Sequence, residues 1–528
     1  MDLLESIKYY IERMVTEVKG MKILLLDEET TGILSVASTQ SFLLSKETFL
    51  VDKLENNKRE KMKQLKCIVF IRPTESSITS LVQELLEPKY SEYYIYFSNT
   101  IKKSVIETLA EHDEYEVVRE IKEFYADYYA ILPNFFSLGM TSTNYPLFMN
   151  RDTWNSEALT RCVQGLMSLF LSSKLVPSMI KYEGNSRMGF QLAKELDYQI
   201  NVESGLFNYY KNNGEKNTSK KKGDSDKGKK AVLVILDRKN DPLTPLLKQW
   251  TYQAMIHEIF GINNGRVDLS ASTDIREEYK EIVLSVDQDE FFKNSIHLNF
   301  GDLGIKIKDY VNNFEKQHKS TKDKLSSQES GSIEEMKKYE TLQPSSIHQL
   351  VEALKNIPGL SQQIDDMITT VQVLLEFGGE KYRQGDLFQN KNILSRGKSV
   401  IRGLKGVENV YTQHKSNYVD TVSKLIKNQF RTKNDNLLLN FPTTFQSKSE
   451  AEVLDGDVVV VVFFVGGVTF AEENDSHKIV QTVDSTISSI SSPQAGINTK
   501  RNVSVIVGGT NLLNSTTFLD NLKNTFFP

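Results

Sequence analysis

The sequence contains few residues that carry redox or metal chemistry. Only two cysteines occur among 528 residues, Cys67 and Cys162, which excludes a disulfide framework and a C-x-x-C motif. Cys67 lies inside an apolar run, which predicts a buried core thiol in a reducing compartment. The 7 histidines offer few general bases. His257 and Glu258 begin like a zinc-protease motif, but no histidine follows at the required spacing.

Long apolar runs and a strong net charge are also missing. The most apolar stretch, residues 458–468, is shorter than the roughly 20 residues that span a bilayer, and it predicts a strand buried on both faces. The N-terminus lacks the basic-then-apolar pattern of a signal peptide. A net charge of -5 predicts no attraction of the whole molecule to nucleic acid or anionic lipid. We therefore expect a cytoplasmic protein that binds no nucleic acid.

Motifs of nucleotide-binding proteins and hydrolases are absent from the sequence. There is no G-x-x-x-x-G-K-[S/T] loop, no G-x-G-x-x-G turn and no G-x-S-x-G nucleophile motif. The most enzyme-like segment contains Asp237 and Asp241 directly after a predicted strand, where two carboxylates could hold Mg²⁺ or act as acid and base. The alternative is that both residues cap turns and pair with Arg238. The pairs Gly466-Gly467 and Gly508-Gly509 indicate either phosphate cradles or tight turns after buried strands.

Short apolar runs alternate with helical patterns in the first part of the chain. Residues 22–26, 67–71 and 94–97 have the length and composition of strands. A helix lies between the last two runs, with Thr74 as its N-cap and Pro88 as its stop. This alternation predicts a parallel, doubly wound sheet.

Three similar runs predict a second sheet that is built from distant parts of the chain. They lie at residues 231–236, 458–465 and 503–507, which favours one sheet with another domain inserted between its two segments. Two apolar stripes on either side of Pro358-Gly359 predict a helical hairpin inside that insertion. The lysine-rich stretch 211–230 and residues 316–331 are typical of solvated loops.

Several segments together resemble the SM family, the Sec/Munc-type regulators of SNARE proteins. The strongest runs from Leu236 to Glu258 and contains the Asp-Arg-Lys-Asn-Asp-Pro-Leu-Thr-Pro sequence, and Phe464–Phe470 and Ile506–Thr510 are also similar to family segments. Three further segments look like the vacuolar protein-sorting branch, which acts at endosomal and trans-Golgi membranes: Met21–Thr31, Pro88–Asn99 and Leu404–His414.

The resemblance implies an α/β fold in a three-domain arch, with two doubly wound parallel-sheet domains and a mainly helical inserted domain. We expect the N-terminal domain at residues 1–138 and the second α/β domain at 139–245 and 440–528. The helical domain is expected at 246–439.

Three partner-binding surfaces are implied by the resemblance. A pocket for the N-terminal peptide of a syntaxin is expected at Leu109, Ile121, Phe124 and Ala130. Alternatively, these are ordinary core residues. The hairpin with Leu354 and Pro358 is expected to contact SNARE helices, although a plain helix corner fits the same pattern. The loop from Asp52 to Arg59 is expected to line the arch cavity, and the alternative is a solvated loop.

The implied function is binding, not turnover, with no cofactor and no metal. The expected partners are a syntaxin-type Qa-SNARE, the assembled SNARE complex and a rabenosyn-like endosomal effector. The protein would act as a monomer that associates peripherally with endosome, Golgi or vacuole-related membranes. Two alternatives stay open: a metal-assisted hydrolase or nucleotide-binding protein that uses Asp237 and Asp241, and a tethering scaffold without SNARE contact.

Overall fold

The chain divides into two compact units, and each of them is assembled from separated segments. The computed structural model describes residues 2–146, 148–150, 152–207, 229–247, 251–270, 280–286, 289–299, 302, 303, 306, 416–426, 438–441, 458–490 and 503–526. The first unit comprises residues 1–241, 415–513 and 519–528, and the second comprises 242–414 and 514–518.

A five-stranded parallel sheet forms the N-terminal part of the first unit, with strand order β2-β1-β3-β4-β5. All three strands predicted for this region are present, which confirms the parallel α/β arrangement. The elements in chain order are α1 (Leu3–Glu17), β1 (Lys22–Leu26), α2 (Glu28–Ala37), α3 (Gln40–Ser45), β2 (Thr48–Lys53), β3 (Met62–Ile71), α4 (Glu75–Leu86), β4 (Tyr90–Phe97), α5 (Lys103–His112) and β5 (Val118–Glu123).

Local sequence signals explain where these elements begin. The side chain of Thr74 accepts a hydrogen bond from the backbone N–H of Ser77 at 3.2 Å, so Thr74 caps α4 as predicted. Asp27 and Thr30 form a reciprocal capping box at the start of α2. All five residues of β1 are buried, because helices cover both faces of the sheet.

A seven-stranded sheet completes the first unit, and its order is β14-β10-β11-β15-β16-β7-β6. The remaining elements of the described chain are β6 (Tyr129–Leu132), β7 (Phe135–Ser137), β8 (Phe148–Asn150), β9 (Thr153–Trp154), α6 (Ser156–Ser172), β10 (Leu175–Glu183), α7 (Arg187–Val202), β11 (Lys229–Asp237), α8 (Tyr252–Ile259), β12 (Arg266–Asp268), β13 (Glu281–Val283), α9 (Glu290–Ser295), α10 (Asn417–Ile426), β14 (Leu438–Phe441), β15 (Val458–Val465), α11 (Phe470–Ile490), β16 (Val503–Gly509) and α12 (Ser515–Phe526).

The three distant runs that predicted a second sheet are adjacent strands in it. β11 pairs with β15, and β15 pairs with β16, in both cases parallel. All eight residues of β15 are buried, as their apolar character predicts. The strands β14 and β6 run antiparallel at the two edges.

Both sheets contribute to one large apolar core. Leu24 of β1, Phe70 of β3, Leu233 of β11 and Val461 of β15 all belong to it. Ile23 alternates with Leu24 along β1 and faces a separate core cluster under α4 and α5.

The predicted domain boundaries stay a prediction. Strands β6 and β7 precede residue 138 in the chain, yet β7 pairs with β16 in the second sheet. The predicted hairpin, with Leu354 and Pro358, lies outside the described residues. None of the helices in the described ranges has the length and apolar character that crossing a membrane requires.

The two glycine pairs have different structural causes. Gly466 and Gly467 have φ angles of +99° and +105°, which confirms a turn after β15 that favours glycine. Gly508 and Gly509 lie within β16, so the expectation of a tight turn there is wrong. A Cβ atom on Gly508 would lie 2.3 Å from the ring of Phe136, so the close packing of this ring requires glycine.

Candidate functional site

The predicted peptide pocket divides between the two faces of the first sheet. Leu109 of α5 and Ile121 of β5 pack in the core cluster under α4 and α5. Phe124 and Ala130 belong instead to the large core on the opposite face. Phe124 lies three positions after Ile121, and side chains at odd offsets along an extended chain point to opposite faces. The structure therefore brings Leu109 and Ile121 together and separates the other two residues from them.

An exposed apolar side chain extends the surface formed by α5 and the edge strand β5. Ile106 is 42% exposed, whereas Leu109 is only 1% exposed. These residues are one helical turn apart, so their side chains are neighbours on α5. Ile106 is not among the residues that the family resemblance implies, although its three-residue spacing from Leu109 was the available signal. The buried Leu109 thus forms the floor of an apolar surface, and the exposed Ile106 lies beside it.

The loop from Asp52 to Arg59 begins and ends with residues that already have partners inside the protein. Asp52 lies in β2, and its carboxyl oxygens accept hydrogen bonds from Asn56 Nδ2 at 3.1 and 3.2 Å. The guanidinium Nη2 of Arg59 is buried and lies 3.0 Å from Glu84 Oε2 and 2.7 Å from the carbonyl oxygen of Leu54. A partner could engage Arg59 only by displacing these contacts, so the exposed part of the loop is Lys53 and residues 55–58.

The carboxyl ends of the first sheet's strands are occupied by side chains of the protein itself. In open α/β sheets this edge is where ligands bind. Here Asp27, after β1, accepts hydrogen bonds from the backbone N–H of Arg72 at 2.6 Å and from Ser77 Oγ at 3.0 Å. Arg72 Nε lies 2.9 Å from Asp127 Oδ1, and Arg161 Nη1 lies 3.3 Å from Asp127 Oδ2. These buried charged groups pair with one another at the edge of the sheet where open α/β sheets bind ligands.

The two carboxyl groups that suggested an enzyme bind separate structural partners. Asp237 accepts hydrogen bonds from Ser186 Oγ at 2.6 Å and from the backbone N–H of Lys239 at 3.1 Å, and burial raises the pKa of its carboxyl. Asp241 accepts hydrogen bonds from Ser416 Oγ at 3.2 Å and from the backbone N–H of Asn417 at 3.3 Å. In the part of the chain that the structure describes, no three His, Cys, Asp or Glu side chains form a group suited to a metal ion.

Arg238, between these two aspartates, is the centre of a buried polar network. Its Nη2 lies 2.6 and 2.7 Å from the two carboxyl oxygens of Glu472, and its Nε donates to the carbonyl oxygen of Gly467 at 3.0 Å. Its guanidinium carbon lies 4.7 Å from the ring centre of Phe464, a cation–π distance. Arg238 therefore pairs with Glu472, which is 234 positions away, and not with an aspartate of its own motif.

The acidic start of α11 lies against this network. Glu472 is fully buried, and burial raises the pKa of its carboxyl despite the opposing effect of Arg238. Burial also raises the pKa of Glu473 to about 8. The hydroxyl of Tyr418 donates to the carbonyl oxygen of Glu472. The residues that resembled an enzyme motif thus connect β11, the turn after β15, α11 and the segment that begins α10.

Two sheets with parallel central strands, an inserted unit and this buried motif agree with what the resemblance implies, and comparison with known proteins identifies the class. The Sec1 family model matches residues 22–376 and 346–521, and the chain belongs to the Sec1 family. The predicted family and the α/β fold class are therefore confirmed.

Within this family the chain is similar to vacuolar protein sorting-associated protein 45. That protein of Schizosaccharomyces pombe is 35% identical, with 99% of this chain and 99% of the relative covered. The Dictyostelium discoideum protein of the same name is 33% identical, with 99% and 97% covered. A solved structure of the SM protein Vps45 in complex with the Qa SNARE Tlg2 matches with a TM-score of 0.74 and 33% identity, covering 99% of this chain and 98% of that one.

Proposed function

We propose that this protein is a SNARE-binding regulator of membrane fusion that grips a syntaxin-type Qa-SNARE and guides SNARE assembly. The observation that carries this proposal is the match over 99% of the chain to Vps45 in complex with the Qa SNARE Tlg2. The relatives named for vacuolar protein sorting support a role in endosomal, trans-Golgi or vacuolar vesicle traffic.

The protein acts by binding a partner and not by turnover in this proposal. The alternative of a hydrolase that uses Asp237 and Asp241 requires both carboxyls to face one substrate. Asp237 instead binds Ser186 and the backbone of residue 239, and Asp241 binds the segment that begins α10. Substrate would have to displace these contacts, which favours the structural role.

The surface of α5 and β5 is the proposed site for the N-terminal peptide of the syntaxin. Leu109 and Ile121 form its apolar floor, and Ile106 is accessible beside them. An aromatic side chain of the peptide would bury roughly 150 Å² here, which is worth up to about 4 kcal/mol. Because Phe124 and Ala130 lie in the other core, their proposed part in the pocket is indirect, through the packing of that core.

Titration of a labelled N-terminal peptide from an endosomal Qa-SNARE tests this proposal. Ile106→Arg adds a charge and a long side chain beside the floor, so we expect peptide affinity to fall at least about tenfold. Ile106 is preferred to the buried Leu109, where an arginine would disturb the core. The matched control is Val202→Arg, an exposed branched aliphatic residue on α7.

Each outcome of the titration decides between the proposals. Saturable binding that is lost in Ile106→Arg and kept in Val202→Arg supports both the function and the site. Equal binding by both variants would support the proposed function, but it would show that the peptide does not bind to the surface of α5 and β5. If the folded wild-type protein binds neither this peptide nor the complete cytoplasmic domain of the SNARE, the function itself is rejected.

The assembled SNARE complex is proposed to bind the inserted domain through the hairpin with Leu354 and Pro358. A proline-glycine break between two apolar stripes would supply a hinge, and a helical hairpin offers a groove for amphipathic helices. Pro358→Ala should change the rate of SNARE assembly in a fluorescence assay and leave peptide affinity intact. Equal loss of both activities would contradict this assignment.

The proposed setting is peripheral association with endosome, Golgi or vacuole-related membranes through SNAREs, as a monomer. Asp52 and the exposed residues 55–58 are proposed to line the arch cavity, where Arg59 supports the loop from inside. A rabenosyn-like effector is a further proposed partner. Light scattering of the purified protein checks the monomer, and co-sedimentation with vesicles that carry the Qa-SNARE checks the membrane association.

A further inference from the structure

The two points where the chain leaves and re-enters the first unit lie side by side. The opening segment of this unit ends at Asp241, and the unit resumes at residue 415. Asp241 Oδ2 accepts hydrogen bonds from Ser416 Oγ at 3.2 Å and from the backbone N–H of Asn417 at 3.3 Å. The first of these bonds joins residues that are 175 positions apart.

Buried groups of the first unit hold both sides of this contact. Arg238 Nη1 donates to the carbonyl oxygen of Asp241 at 3.1 Å, which fixes the backbone on the exit side. On the return side, the backbone N–H of Ser416 donates to Asp475 Oδ2 at 3.4 Å, and Ser416 Oγ lies 3.5 Å from Glu472 Oε1. Asp241 is 6% exposed and Ser416 is 2% exposed, so water does not replace these bonds without local opening.

The next residue along the return segment adds an aromatic anchor. The hydroxyl of Tyr418 donates to the carbonyl oxygen of Glu472, and its ring meets Phe464 edge-on at 5.6 Å between ring centres. Phe464 lies in β15, and its other contact here is the guanidinium of Arg238. The start of α10 is therefore fastened to the same small region that fixes the exit at residue 241.

We infer that Asp241, Ser416 and Asn417 form a clasp that closes the base of the inserted segment 242–414 and controls the release of α10. Closing a loop of this length costs conformational entropy, which the buried bonds offset. When the clasp opens, the first residues of α10 lose their bonds to Asp241, and the helix is then held mainly through Tyr418. The clasp thereby sets how firmly the returning chain is held within the first unit and, on the proposed function, how readily the protein takes up a SNARE helix.

The chain offers a control with the same chemistry in a different place. Ser77 Oγ donates to the buried carboxyl of Asp27 at 3.0 Å, as Ser416 Oγ does to Asp241 at 3.2 Å. Ser77 and Asp27 are 50 positions apart, and both belong to the first sheet and its helices. Ser77→Ala therefore removes an equivalent hydrogen bond without touching the exit and return points of the inserted segment.

Hydrogen–deuterium exchange of the full-length protein tests the clasp directly. Loss of a hydrogen bond to a buried carboxyl shifts a local opening equilibrium by roughly tenfold or more, so Ser416→Ala should speed exchange of residues 416–426 by about that factor. Ser77→Ala should leave this segment unchanged and affect only α2 and α4. The size-preserving variant Asp241→Asn provides a second test of the same contact.

Binding measurements with the same variants test the consequence. Ser416→Ala and Asp241→Asn should change affinity for the complete cytoplasmic domain of a Qa-SNARE at least about threefold, with affinity for its N-terminal peptide unchanged. Unchanged exchange in both variants, or faster exchange with unchanged SNARE affinity, overturns the inference. If the wild-type protein binds no SNARE, the proposed function fails, whereas the exchange result still decides whether the clasp exists.

Discussion

At the scale of single residues, the structure is governed by partners that are distant in sequence. The Asp-Arg-Lys-Asn-Asp motif predicted capped turns, and Asp237 does cap the short 3-10 helix Arg238–Asn240. The ion-pair partner of Arg238 was not predictable, since Glu472 becomes a neighbour only when β11 and β15 pair. Likewise, the family resemblance grouped Ile121 with Phe124, whereas the alternation of side chains separates them.

Glu473 gives the protein a measurable pH dependence. Burial raises the pKa of its carboxyl from an ordinary 4.5 to about 8, so the folded state binds this proton more tightly than the unfolded chain. The stability from this group is fully present below pH 4.5 and is lost as the pH rises through about 8. Glutamine stays neutral at every pH. The free energy of unfolding of Glu473→Gln should therefore rise by on the order of 3 kcal/mol relative to that of the wild type as the pH goes from 5 to 9.

Urea unfolding at pH 5, 7 and 9 measures this effect. The exposed Glu111→Gln on α5 serves as the control and should show no such trend. A Glu473→Gln difference that stays constant over this range would show that the carboxyl is already ionised in the folded protein.

At the scale of elements, local sequence predicted the central strands of both sheets and the start of α4. Apolar runs of five to eight residues predict buried parallel strands, because no other element of that length hides both faces from water. The Gly508-Gly509 pair does not mark a turn. Glycine is needed at residue 508 because the ring of Phe136, on a neighbouring strand, packs closely against it. Features that depend on the sequence of one segment could be predicted, whereas features that depend on packing between strands could not.

The contribution of the α4 N-cap to the stability of the protein can be measured. Thr74→Ala removes the acceptor for the backbone N–H of Ser77 and should lower the free energy of unfolding by about 1 kcal/mol. Thr79→Ala on the same helix is the matched control, because Thr79 Oγ1 donates only to the carbonyl oxygen of Glu75 one turn earlier. Equilibrium denaturation should separate the two variants, and equal destabilisation would contradict the capping role.

At the scale of the whole molecule, the second sheet unites segments from both sides of the insertion. β15 lies between β11 and β16, and β16 pairs with β7, so strands from the end of the chain occupy the middle of the sheet. The alternation of strands and helices predicted the first sheet, and three similar apolar runs predicted the second. The strand order could not be deduced, because it depends on long-range pairing.

This arrangement predicts that the chain survives a cut in the inserted segment. A site-specific protease sequence placed between Gly331 and Ser332 should yield two fragments that co-elute in gel filtration and separate only in denaturant. The fragments share the pairings of β11 with β15 and of β16 with β7, which bury apolar strands on both sides of the cut. Separation under native conditions would show that these pairings are too weak to hold the sheet.

The central position of β15 also has a consequence for synthesis on the ribosome. β11 ends at residue 237 and its partner β15 begins at residue 458. One edge of β11 therefore stays unpaired until about 220 further residues have been synthesised. At a translation rate of roughly 5 to 20 residues per second, this wait lasts about 10 to 45 seconds. During that interval a nascent chain exposes an apolar strand edge to chaperones and to other nascent chains. A premature stop codon upstream of β15 would leave that edge open permanently.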